Sequence, residues 1–308
     1  MTKIWVTGDA VVDLIPQGKE LYLKCPGGAP ANVAVAIARL GGETGFFGRV
    51  GQDPLGSFMK QVLEGEGVDV AHLRLDKEHR TSTVIVDLDA NGERSFTFMV
   101  KPSADQFIDK SDVPKFHAGE WLHACSIALA NNPSRQTTLN AMQAIKNVGG
   151  FVSFDPNLRE EVWPDNKEII PVVLEAISLA DVVKFSDDEL LFLTGQSCIE
   201  SGLSWLQQHY TLPLIIVTQG KKGALVVQGA KQQLITGRSV FPVDTTGAGD
   251  AFVGGLLAGL LAFDNWQQQE QLQKIIEQAN ACGALATTAK GAMTALPNQV
   301  QLKEYLSK

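Results

Sequence analysis

The chain has 308 residues, 44% of them hydrophobic and 19% charged, with a formal net charge of −8. That is enough apolar material for a large buried core, and an acidic balance with no Lys- and Arg-rich block argues against nucleic acid as a partner. Cys25, Cys125, Cys198 and Cys282 are dispersed and read as reduced thiols, the segment after Met1 has no long apolar core, and the longest apolar run, residues 251–263, is too short to cross a bilayer, so a cytoplasmic chain with no membrane partner is expected.

From the N-terminus, Ile4–Thr7 is the first predicted strand, with Gly8-Asp9 and Asp13 following it. Residues 12–25 lack helical periodicity, whereas 32–40 and Pro54–Gly65 have it. Residues 83–89 and 94–100 each alternate, and Asn91-Gly92 between them supplies the positive φ angles of a tight hairpin. Further strands are expected at 120–125, Phe151–Asp155, 181–185, Leu214–Thr218 and Ala224–Gln228, with helices at 134–148, Asp187–Thr194 and 251–263. Several of these strands are apolar on both faces, as central strands covered on both sides must be. The pattern predicts an α/β fold: a doubly wound, mostly parallel sheet flanked by helices. A small inserted β-sheet lid, from about residues 10–30 and 81–100, would interrupt one domain spanning 1–308.

Two segments carry chemistry. Asp244-Thr245-Thr246-Gly247-Ala248-Gly249-Asp250 leads into the apolar helix, so the amides of Gly247, Ala248 and Gly249 lie at a helix N-terminus suited to a phosphoryl group. Asp250, at the same end, can accept a proton from a hydroxyl in line with that phosphate. The competing reading is a plain glycine turn in which Asp250 only stabilises the first helical turn. The second segment, Gly27-Gly28-Ala29-Pro30-Ala31-Asn32, lets a ligand approach the backbone and offers Asn32 as donor and acceptor to a polyol; its bland alternative is that Asn32 caps the helix.

Together, in this order and near opposite ends of the chain, the two segments resemble the two signatures of the ribokinase (PfkB) family, with matching spacing from Asn32 through Gly41 to Gly51. The resemblance implies an ATP-dependent sugar kinase with Mg2+, a doubly wound core and a β lid over the sugar. No Walker A sequence is present, because Gly18 and Gly220 are followed by Lys19-Glu20 and Lys221-Lys222. By the same resemblance Asp13 bonds sugar hydroxyls, with Asp9 nearby, and Arg159 of Asp155-Pro156-Asn157-Leu158-Arg159 reaches the sugar or the transferring phosphate. Lys184 and Glu189 stand in the family's Asn-x-x-Glu region, with Ser186 replacing the asparagine, and Glu189 would hold magnesium through water. Thr218, Gly220 and Gly223 match the nucleotide loop, and Asn280 and Gly283 the adenine wall. Asp244 and Thr246, with Ala286, Ala289 and Gly291, match the region that binds an activating monovalent cation, making K+ a candidate cofactor. Arg80-Thr81, Ser103-Ala104-Asp105 and Phe98 of the lid are more similar to the bacterial fructokinase branch. Aminoimidazole riboside kinase, ribokinase and 2-keto-3-deoxygluconate kinase stay open as alternatives, as do a non-catalytic sugar-binding regulator and a homodimer through the lid.

Overall fold

The computed structural model describes residues 2–18, 20–88, 94–263 and 265–307, without the side chains of residues 88 and 94; the expected Asn91-Gly92 turn lies outside them. Strand β1 (Ile4–Thr7) is fully buried and runs through the middle of the molecule. Strands β2 (Val11–Gln17) and β3 (Leu21–Gly27) follow, and then helix α1 (Ala29–Arg39). Next come β4 (Thr44–Gly51), α2 (Pro54–Gly65), β5 (Leu73–Asp76), β6 (Thr83–Leu88) and β7 (Arg94–Phe98). The second half continues with β8 (Trp121–Cys125), α3 (Ser134–Asn147), β9 (Phe151–Asp155), α4 (Ile169–Leu179), β10 (Val182–Ser186), α5 (Asp187–Thr194) and α6 (Ile199–His209). It ends with β11 (Leu214–Thr218), β12 (Ala224–Gln228), β13 (Lys231–Ile235), α7 (Ala248–Ala262), α8 (Gln269–Ala286) and α9 (Gln299–Leu306).

Nine strands form one sheet in the order β13-β12-β11-β10-β9-β8-β1-β4-β5. Every pairing from β11 through β1 to β5 is parallel, and β12 and β13 add an antiparallel edge. Strand parity sorts the core. Ile4 and Val6 pack with α1, α2, α7 and α8, whereas Trp5 and Phe47 pack with α3 to α6 on the opposite face. This is the doubly wound architecture expected from strands without a polar face. The chain turns back at β1, whose neighbours β4 and β8 lead to opposite edges, and a ligand crevice belongs at the carboxyl ends beside that reversal.

The second sheet, β3-β2-β6-β7, is built from the non-helical segment after β1 and the two alternating segments. Its base is tied to the large sheet by Asp53. That carboxylate accepts from the amides of Leu55 and Gly56 at the start of α2, and from the amide and hydroxyl of Thr81 just before β6. Helix α7 begins at Ala248, within the Gly247–Asp250 start expected from the sequence, because Gly247 takes the left-handed conformation (φ 78°) that turns the chain into it. Its glycines let neighbours come close: a Cβ on Gly254 would strike Ala36 of α1, and one on Gly255 would strike Cys282 of α8.

Candidate active site

The carboxyl ends of β1, β9 and β10, the first turn of α7 and the inner face of the small sheet enclose a cavity of about 1120 Å³. Asp250 is 8% exposed at its floor. One carboxylate oxygen accepts from Asn32 Nδ2 at 2.7 Å, and the other from Asn157 Nδ2 at 3.4 Å. Asn32 therefore does not cap α1, whose N-cap is Gly28; it lies inside the first turn and reaches across 218 residues of sequence to Asp250. Burial pushes the Asp250 carboxyl above its ordinary range, while the Asn32 hydrogen bond, the charges of Lys184 and Arg159, and Asn157 pull the other way. A buried carboxylate held by two neutral donors has lone pairs placed to accept a further proton.

Beside it, the Ala248 amide donates to the Thr245 carbonyl, so it is not one of the open donors expected there, while the Gly249 and Asp250 amides have no carbonyl four residues earlier in the helix; Gly247 and Gly249 line the cavity. Asp9 and Asn32 each leave a buried side-chain oxygen, Oδ1, without a partner, and both line the same space. Burial, followed by the charge of Asp105, pushes Asp9 up to about 8. Asp13 projects from β2 opposite Cys25 of β3, and Gly27 is glycine for its sake, since a Cβ there would lie 2.5 Å from the Asp13 carboxylate. Gly28 has φ 96°, and a Cβ on it would strike the Asp9 carbonyl. Phe98, with Phe96 and Val84 of the small sheet, closes the cavity from above, and Arg159 lies exposed on its rim.

Such a cavity, with a buried carboxylate beside a helix N-terminus and two buried oxygens without a partner, has a shape and chemistry that suit phosphoryl transfer to a polyol. The model of the pfkB family of carbohydrate kinases matches residues 1–299. The chain belongs to this family. It is 58% identical over 306 residues to a fructokinase of Vibrio alginolyticus, covering 99% of each. It superposes with a TM-score of 0.96 on the crystal structure of fructokinase from Vibrio cholerae O395 in fructose-, ADP- and calcium-bound form, at 62% identity and 99% coverage of both chains. Aminoimidazole riboside kinase from Salmonella enterica, solved with aminoimidazole riboside and an ATP analog, is similar at a TM-score of 0.92 and 43% identity, with 99% and 100% covered.

In this pfkB kinase the other expected residues fall into two groups. Glu189 lines the cavity, but its carboxylate also closes a capping box: Oε2 accepts from the Ser186 amide and hydroxyl, and Oε1 from the Leu158 amide. These three hydrogen bonds leave one lone pair, on Oε1, for a further donor such as water. Asp244 accepts from the Thr246 amide and hydroxyl and from the Gly291 amide, so one carboxylate draws the 244–247 and 286–292 loops together. Among the described residues no group of three or more His, Cys, Asp or Glu is placed to hold a metal. Thr218, Gly220, Gly223, Asn280 and Gly283, with Ala286 and Ala289, lie outside the walls of the cavity. Thr218 Oγ1 bonds the Phe185 carbonyl, Asn280 Nδ2 bonds the Ile235 carbonyl, and Gly283 gives room to the Ala248 carbonyl of α7.

Sequence reasoning did not single out Asn157 or Asp155 as site residues. Asn157 has φ 39°, the left-handed region that asparagine tolerates better than most residues, and this turn presents its amide to Asp250. Its place after a strand, between Pro156 and Leu158, was the available signal. Asp155 holds Lys184 in a buried ion pair.

Proposed function

We propose that this chain is an ATP-dependent fructokinase that converts fructose and ATP to fructose 6-phosphate and ADP. The observation that carries the reading is Asp250: a buried carboxylate, fixed by Asn32 and Asn157 at the floor of the cavity and beside the first turn of α7. The hydroxyl oxygen of the sugar bonds the γ-phosphorus as the bond to ADP breaks, and the hydroxyl proton passes to Asp250. Amides at the start of α7 hold the equatorial oxygens. Asp13, Asp9 and Asn32 orient the remaining hydroxyls, and Arg159 faces the incoming phosphate. Bound magnesium, held by Glu189 through water, would supply charge neutralisation on the nucleotide phosphates, and a potassium ion fits the carbonyls of the loops that Asp244 joins. Thr218, Gly220, Gly223, Asn280 and Gly283 frame the nucleotide side.

The fructose assignment draws support from the high identity to fructokinases over the whole chain. The small sheet acts as a lid that excludes water. The exposed Leu21, Tyr22 and Leu23 on its edge strand are suited to a homodimer contact. No helix among the described residues is long and apolar enough to cross a membrane, and the cytoplasm is the proposed setting. A coupled ADP-release assay over fructose, ribose, glucose, 2-keto-3-deoxygluconate and nucleosides tests the reading. Fructose should give the highest kcat/KM; aminoimidazole riboside exceeding it by about tenfold, or 1.4 kcal/mol, would reassign the substrate.

A further inference from the structure

Lys184 and Asp155 form a buried pair at the site. Strand parity points both toward α7: on β10, Val182 packs in the core under α7 while Val183 and Phe185 face the other layer, and Lys184 shares the side of Val182. On β9, Phe154 faces the α3 layer, so Asp155 points the opposite way, next to Lys184. The ammonium bonds both Asp155 oxygens, at 2.9 and 3.2 Å, and both residues are more than nine-tenths buried. A Cβ on Gly249 would lie 3.5 Å from Lys184 Nζ, so this charge sits directly under the first turn of α7, and Lys184 lines the cavity. An ammonium has three protons, and its two hydrogen bonds to protein both go to Asp155.

Asp250 is the next residue along the same turn and feels the Lys184 charge, yet its oxygens bond only the neutral amides of Asn32 and Asn157. An ammonium free to choose would pair with that carboxylate and occupy the lone pair that the sugar proton needs. We propose that Asp155 is a positioning residue that keeps the Lys184 ammonium off Asp250 and aims its remaining proton at the phosphoryl group held by the start of α7. The inference rests on the kinase reading above but not on the identity of the acceptor.

The charged groups facing Asp250 are Lys184 on β10, Arg159 after β9, Asp9 after β1 and Asp155 on β9, with Glu189 of α5 facing Lys184 in turn. Two substitutions should therefore move the acid limb of kcat/KM in opposite directions. Asp155→Asn releases the ammonium toward Asp250, favours its ionised form and shifts the limb to lower pH. Lys184→Met removes the charge and shifts it to higher pH.

The test is steady-state kinetics on the full chain with whichever acceptor it prefers, so a nucleoside preference would correct the substrate and leave this test standing. Asp155→Asn should lower kcat by about 10- to 100-fold with the acceptor KM within about threefold, and Lys184→Met by at least as much. Because Asp155 acts through Lys184, the double variant should be no slower than Lys184→Met alone. Should Asp155→Asn fail to fold with its ammonium unpaired, the double variant, which buries no charge at this pair, carries the comparison. The proposal is overturned if Asp155→Asn keeps kcat within about twofold of the parent, if its acid limb stays in place, or if the double variant is slower than Lys184→Met by about tenfold or more.

Discussion

The cavity around Asp250 and the expected nucleotide region outside its walls are built on different principles. On the sugar side, functional side chains hold one another: Asn32 and Asn157 fix Asp250, and Gly27 makes room for Asp13. On the nucleotide side, the side chains expected to serve ATP are spent on the fold. Thr218 ties β11 to β10, Asn280 ties α8 to β13, and Gly223 is glycine because a Cβ there would strike the backbone of Ile235 and Gly237. What this region presents outward includes the exposed Lys221 and Lys222 ahead of β12, and Phe241 at 95% exposure beside Pro242 and Val243 of the cavity wall. Side-chain identity should therefore decide turnover in the first region, and chain path in the second.

Among changes that leave the base intact, Asp13→Ala should have the largest effect. A site built to bond hydroxyls leaves them unpaired when one partner goes, so kcat/KM for fructose should fall about 10²-fold while the KM for ATP stays within about threefold. An altered ATP KM with normal sugar kinetics would mean that the regions have been assigned the wrong way round. Asn157→Ala should lower kcat about tenfold, equivalent to one hydrogen bond to a charged group, alongside a modest fall in melting temperature because alanine tolerates the left-handed φ of this position less well. A loss confined to stability would reduce Asn157 to a turn residue.

Asp9 sharpens the comparison through pH. Its folded-state pKa, pushed up to about 8 chiefly by burial, lies above the unfolded value, so the folded protein is favoured while Asp9 is protonated. That stability is fully present below about pH 4 and is lost as pH rises through about 8. Asp9→Asn should leave Tm nearly unchanged at pH 4 and raise it relative to the parent at pH 8 to 9, read by thermal melts across that range. No pH-dependent difference would mean that Asp9 is ionised in the folded state. The smallest effect belongs to the nucleotide region: Asn280→Ala should cost about 1 kcal/mol of stability, by denaturant titration, with kcat within about twofold of the parent. A large loss of kcat there would erase the distinction between the regions.

What could be read in the sequence follows the same division. Gly247-Ala248-Gly249-Asp250 and Gly27-Gly28 were legible because a left-handed turn and a close backbone approach demand glycine. The strands of the parallel core were legible because burial on both faces leaves continuous apolar runs. Strand β4 escaped notice because its glycines break the pattern, and Gly45 is needed where a Cβ would strike the Trp5 ring of the neighbouring strand. Strand β13, Lys231–Ile235, is an exposed edge with little apolar content to signal it. Contacts such as Asn32 with Asp250, and Lys184 with Asp155, join residues far apart in the chain and leave no local trace. Glu189 was legible as an acid in the first turn of the helix expected at Asp187–Thr194, and the Ser186-x-x-Glu189 spacing was the available signal for the capping box that the structure forms there.

The central claim, that Asp250 is the base of a prebuilt sugar site, is tested most directly by Asp250→Asn, with fructose binding by calorimetry and turnover measured on one preparation. Asparagine keeps the shape and the start of α7 but cannot take the proton. The account predicts fructose affinity within about threefold of the parent, near-parental melting and a kcat lower by about 10²–10⁴-fold. A folded variant turning over within about threefold of the parent would contradict it, leaving positioning of the phosphate alone to explain the transfer.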